Sequence, residues 1–168
     1  MSATYEPIES VTLTSDVAGV TFDAIAPDWT DLRLIATNVK IDRDRNYQLN
    51  INGDSGSNYS FTQVGGNGSS ASSTRFSNFT SVLCSLIVGY YTGPGDIVVD
   101  FMNYANTNVY KTFLSTHTSN ASSYKGIEKV VGLWRSTSAI TSITIGASSG
   151  ALTYAGATFS LFGIKAAP

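Results

Sequence analysis

The chain has 168 residues, enough for one domain with a real core. Charged residues make up 13% of it and hydrophobic residues 42%, with a net charge of −2. This balance excludes a disordered chain, which needs low hydrophobicity and high charge, and it leaves no basic stripe for a phosphate backbone, so no nucleic-acid partner is expected.

The N-terminal stretch MSATYEPIESVTLTSD has neither a basic region nor an apolar one, so no signal peptide is expected. No apolar run approaches the roughly 20 residues of a membrane helix, so no membrane insertion is expected either. Helical periodicity is almost absent. Short β-type runs separated by turn residues recur instead, at 10–15, 19–25, 30–41, 46–53 and 58–66. In 46–53, Tyr47, Leu49 and Ile51 alternate with Gln48, Asn50 and Asn52. Further runs follow at 81–91, 95–104, 108–117, 125–135, 139–147 and 157–167. In 95–104, Ile97, Val99 and Phe101 face one way and Asp100 the other. Residues 127–133 also admit a short helix, but Val130, Val131 and Gly132 favour a strand. The spacing predicts one all-β domain over 1–168, an antiparallel β-sandwich of about 8–11 strands without substantial helix.

The segment GGNGSSASSTRFSNFTS, at about 65–81, interrupts this rhythm and reads as a long polar loop or arm. Phe76 and Phe79 are out of place in a solvated linker. They are expected to anchor it on its own domain or on a neighbouring subunit.

Several stretches invite a chemical reading. Gly53-Asp54-Ser55-Gly56 resembles the surroundings of a nucleophilic serine. A triad also needs a histidine and a carboxylate, and His117 is the chain's one histidine. No helix pattern follows Ser55, as a nucleophile elbow requires, so a polar turn between strands is the expectation. Asp42, Asp44 and Asn46 have the spacing that opens a calcium loop, but Tyr47 occupies the required glycine position. An exposed, charge-balanced turn is expected there. His117 lies among small polar residues and is expected in an exposed loop. Asp100 and Glu128 are the only loose candidates for a glycosidase pair. Cys84 is a lone cysteine in an apolar run and is expected to be a small buried hydrophobe. Four Asn-x-Ser/Thr sites, at Asn58, Asn67, Asn78 and Asn120, read as coincidences of composition. No catalytic, cofactor or metal residue is therefore assigned, and no enzyme is expected. Tyr90, Tyr91, Asn103, Tyr104 and Asn106 combine aromatic rings with amides, a pairing that suits sugar faces and hydroxyls. They could equally cover the ends of a sandwich core. Trp134 reads as a core or interface residue.

The stretch GLWRSTSAITSITIGASSGALTYAGATFSLFGIKAA (132–167) resembles the C-terminal part of small β-sandwich virion proteins of tailed bacteriophages, of marine and cyanobacterial type. TYEPIESVTL (4–13), INGDSGSNY (51–59) and NYANTNVYKTFLS (103–115) resemble their earlier parts. The resemblance implies a jelly-roll type of sandwich and a non-enzymatic structural role on the exterior of head or tail. It also implies a homotrimer and supplies no catalytic residue. The sequence has no heptads or repeated shaft elements. That favours a capsid-decorating (cement) protein bound to the major capsid protein or other virion proteins. The alternative is a receptor-binding adhesin, a tail or head fibre tip that recognises host surface glycan. Either would be made in the host cytoplasm.

Overall fold

The computed structural model describes residues 5–43, 45–85, 94–121 and 124–165. Among them are twelve strands and no helix. In chain order these are β1 (Tyr5–Thr12), β2 (Gly19–Phe22), β3 (Asp31–Val39), β4 (Tyr47–Ile51), β5 (Tyr59–Gly66) and β6 (Ala71–Phe79). There follow β7 (Val82–Ser85), β8 (Gly95–Met102), β9 (Lys111–Ala121), β10 (Tyr124–Trp134), β11 (Ile143–Ala147) and β12 (Thr158–Ile164). Residues 127–133 are strand, inside β10.

The strands form two antiparallel sheets. One has eight strands in the order β1-β12-β3-β8-β9-β10-β5-β6, and the other has four in the order β2-β11-β4-β7. Four pairings organise both: β1 with β12, β2 with β11, β3 with β8 and β4 with β7. Each early strand thus pairs with a late one, so the chain is wrapped as one long folded-over hairpin. The hairpins β5–β6 and β9–β10 extend the larger sheet beyond β8.

Alternation along each strand sends one set of side chains between the sheets. Tyr47, Leu49 and Ile51 of β4 are fully buried, as are Ile97, Val99 and Phe101 of β8. Leu32, Leu34, Ile143, Ile145, Phe159 and Leu161 complete the centre of the core. Burying each such side chain contributes about 1.5–3 kcal/mol. Cys84 lies in the same core, and burial pushes its thiol up to about 12. Phe113 lies flat across its cross-strand partner Gly132, where a Cβ would stand 2.0 Å from the ring. Gly163 gives Trp29 the same room, at 2.3 Å.

Residues 65–81 correct the expectation of a loop or arm. All but a short turn is hairpin: β6 pairs with β5 from Gly66↔Ala71 to Tyr59↔Phe79. The turn at 67–70 is set by Asn67, whose Oδ1 accepts the N–H groups of Ser69 and Ser70, and by Gly68 at φ 86°. The strand escaped the pattern because it is an edge with almost every side chain in water, so nothing imposes apolar alternation. Phe76 and Phe79 do anchor it on its own domain. Phe76 stacks on Phe61 at 4.7 Å, and Phe79 meets both rings edge-on at 5.3–5.4 Å.

Candidate functional site

The Gly53-Asp54-Ser55-Gly56 stretch is a turn between β4 and β5, and its organising residue is Asp54. The Asp54 carboxylate accepts from the Trp134 indole N–H at 2.6 Å, the Asn58 amide at 2.9 Å and the Gly56 N–H at 2.8 Å. Its carbonyl accepts from the Tyr59 hydroxyl and the Asn50 amide, both at 3.1 Å. These donors, the Trp134 indole first, hold the Asp54 carboxyl below its usual range. Gly53 supplies the left-handed φ of 65° that the bend needs. Ser55 is exposed at the tip. Trp134 ends β10 beside this turn, whereas His117 pairs with Glu128 near the other end of that strand. Trp134 lies six residue steps along the strand from Glu128, roughly 20 Å at about 3.3 Å per step. Serine and histidine are therefore not brought together.

His117 corrects a second expectation. It lies on β9, not in an exposed loop, and is 2% exposed. Its Nδ1 is 3.6 Å from a Glu128 carboxylate oxygen, and the Gln63 amide donates to the other at 2.8 Å. Glu128 and Gln63 are also buried. The sequence disguised this cluster because a buried polar residue in an alternating strand looks like a solvent-facing one. Asp100 points to the opposite face of the same sheet, where Arg33 clasps it through Nε at 2.5 Å and a terminal nitrogen at 3.1 Å. With β9 between them and their side chains on opposite faces, Asp100 and Glu128 cannot flank one sugar.

Asp42 is bound by Arg43 at 2.8 Å and by the Leu152 N–H at 2.9 Å, which lower its pKa, the arginine first. Asp44 lies outside the described residues. Among the described residues no cluster of three or more His, Cys, Asp or Glu has an arrangement that could hold a metal.

Of the aromatic–amide candidates, Tyr90 and Tyr91 lie outside the described residues. Tyr104 is fully buried, which corrects its reading as a ligand platform. Its hydroxyl donates to the Ala26 carbonyl and accepts from the Trp29 N–H, so the ring closes an end of the core. Asn103 is exposed at φ 51°, with its N–H on Asp31 at 2.7 Å. Asn106 accepts the Asn108 N–H on its side-chain oxygen at 2.8 Å. Its carbonyl joins those of Val109 and Thr137 around the ammonium of Lys111, a fully buried residue whose pKa burial pushes down. The 103–110 loop is thus clamped from inside, and it presents Val109 and Tyr110 at its surface.

The eight-stranded sheet presents a broad outer face, away from the four-stranded one. The registers align Pro7, Phe162, Arg33, Asp100, Leu114, Val131, Thr62 and Arg75 in one row across all eight strands. At about 4.8 Å per strand the row is roughly 34 Å long. On its distal half Val64, Ile127 and Val131 are 50%, 49% and 58% exposed. Beside them a shallow groove runs between β10 and the β5–β6 turn, floored by Gly65 and Gly66. The sequence did carry a sign of this face. In β10 the pairs Val130–Val131 and Leu133–Trp134 break alternation, placing one apolar side chain inward and the next outward.

No family model matches the chain, and no curated protein matches it. A solved structure, a Bacteroides vulgatus protein described as a candidate pore-forming toxin, is 8% identical over 90% of this chain, with a TM-score of 0.10. The match spans 60% of that protein's length, and a likeness so slight carries no argument about fold or function.

Proposed function

We propose that this protein is a non-enzymatic structural component of a tailed-phage virion, an exterior capsid-decorating (cement) protein, built on a jelly roll with two inserted hairpins. With β5, β6, β9 and β10 set aside, the remaining strands renumber in chain order as 1-8-3-6 in one sheet and 2-7-4-5 in the other. That order fits two Greek keys wrapped as one hairpin and supports the jelly-roll reading, an arrangement of many capsid domains. The inserted hairpins widen one face of the larger sheet, which favours broad contact.

The observation that carries the role is the partly apolar outer face, with Val64, Ile127 and Val131 about half exposed. Exposed apolar patches of this kind mark protein–protein surfaces. The same rows carry Thr62, Thr116 and Ser160, hydroxyls that suit a wet interface. The major capsid protein is the partner this reading calls for. Labelling the protein on purified virions tests it. Many copies spread over the head support decoration, and a few copies at the tail would sink it.

A second reading, an adhesin for host glycan, is favoured by one observation. Tyr110, 54% exposed, shares the clamped loop with the exposed Asn106 and Asn108. A glycan array with wild type and Tyr110→Ala decides it. Binding by wild type that is lost in the variant supports the adhesin, and no binding removes it.

A further inference from the structure

The described strands have four sheet edges, and two of them, β1 and β2, carry features that block pairing. β1 has Pro7, a register irregularity between Pro7 and Glu9, and two glutamates. β2 is only four residues long. Short edges, proline, bulges and charge are the usual devices against unwanted strand addition. β6 has none of them over Ala71–Ser77. It is nine residues long, lacks proline, carries the single charge of Arg75, and is exposed at every position but Phe76. Its register with β5 is unbroken from Ser60↔Ser77 to Gly66↔Ala71.

The hydrogen-bond alternation shows which groups β6 offers. The Asn67 N–H bonds the Ser70 carbonyl across the turn at 3.2 Å. In an antiparallel ladder bonded and non-bonded pairs alternate. Ala71, Ser73, Arg75 and Ser77 therefore direct their main-chain N–H and C=O groups away from β5, toward the open edge.

We propose that β6 is an assembly edge at which a second copy of this chain adds its own β6, antiparallel, about a two-fold axis at Thr74. This register places Ser73 opposite Arg75 of the second copy and Ala71 opposite Ser77, so all four outward-directed residues find partners. Centring on Arg75 would instead set two arginines face to face, and like charges directly opposite are destabilising. Centring on Ser73 leaves Ser77 unpaired. The strand is thus self-complementary in hydrogen bonding, and this register keeps the two arginines from standing directly opposite, which makes a second copy its occupant. Joined this way, two eight-stranded sheets become one continuous sheet with their outer faces on the same side. The inference does not depend on the virion reading.

Sedimentation of the full chain over a range of concentrations tests it, with two exposed substitutions that leave the core untouched. Ser73→Pro removes an N–H that the monomer does not use and should abolish the dimer. Ser73→Glu sets a carboxylate opposite Arg75 twice per dimer and should tighten it, roughly threefold to tenfold at low salt. Thermal melts of the dissociated chains check that both variants fold. A wild-type chain that stays monomeric would overturn the proposal, as would a trimer. A dimer that survives Ser73→Pro, or that Ser73→Glu weakens, would overturn it too.

Discussion

The indole N–H of Trp134 bonds the carboxylate of Asp54 at 2.6 Å, tying the last residue of β10 to the turn between β4 and β5. The same carboxylate holds Asn58 and Gly56, so one side chain fixes a turn and joins it to the neighbouring hairpin. Asp54→Ala should cost about 1–3 kcal/mol at neutral pH, the range for stranding buried or half-buried donors. Ser55→Ala should change stability little, since Ser55 sits exposed at the tip. Urea unfolding of both variants checks this contrast.

The same bonds make Asp54 acid-sensitive. Its folded pKa lies below the ordinary 3.8. A carboxyl lowered on folding contributes stability that is fully present above the unfolded value and is lost as pH falls through the folded value. Stability should therefore drop as the pH is taken below about 4, and Asp54→Asn should flatten part of that slope. Unfolding midpoints measured through the acid range give the comparison. A slope unchanged in the variant would mean that other carboxylates carry the effect.

Gly132→Ala is the sharpest test of the packing between β9 and β10. The new methyl would meet the Phe113 ring at 2.0 Å, closer than any real contact. Phe113 is fully buried. The expected loss is about 1–3 kcal/mol, the usual cost of overpacking, read as a lower melting temperature. The double variant Gly132→Ala with Phe113→Leu should lose less than the sum of the two single changes.

Glu128→Ala would remove the acceptor of Gln63 and the carboxylate beside His117 from the interior. Leaving a buried polar group without its partner costs about 1–3 kcal/mol. Glu128→Gln, which keeps the shape, should cost less than Glu128→Ala. Chemical denaturation of the two variants ranks them.

Cys84 should resist alkylation in the folded protein. Its thiol is fully buried, and burial raises its pKa to about 12, so almost no thiolate exists near neutrality. Iodoacetamide labelling should be negligible under native conditions and complete in concentrated guanidinium. Rapid native labelling would show that the core opens locally around β7.

The strands that carry an apolar face were legible in the sequence. Tyr47, Leu49 and Ile51, like Ile97, Val99 and Phe101, announce β4 and β8 because a buried face must be apolar at every second position. β6 was hidden because an edge strand in water has no such obligation. Its two phenylalanines were the remaining clue, and they mark where it touches Phe61. His117 and Tyr104 misled for related reasons. Their polar atoms face groups on other segments: Glu128 stands 3.6 Å from His117, and Ala26 and Trp29 bond the Tyr104 hydroxyl. Local composition holds no record of such partners. The outer face, by contrast, was signalled by Val130–Val131, whose two apolar neighbours cannot both point inward.

The wrapped pairing also bears on how the molecule forms. Tyr5 opposes Ile164 and Thr12 opposes Thr158, so the first strand finds its place only when the last has arrived. Such distant pairing carries a large loop-closure entropy before any contact compensates, and folds rich in it reach the native state in milliseconds to seconds rather than microseconds. The β5–β6 and β9–β10 hairpins are the local exceptions, able to close early on short turns. A nascent chain would therefore carry formed hairpins while β1 waits unpaired. The proline and glutamates of β1 protect it through that interval as much as they do in the finished sheet.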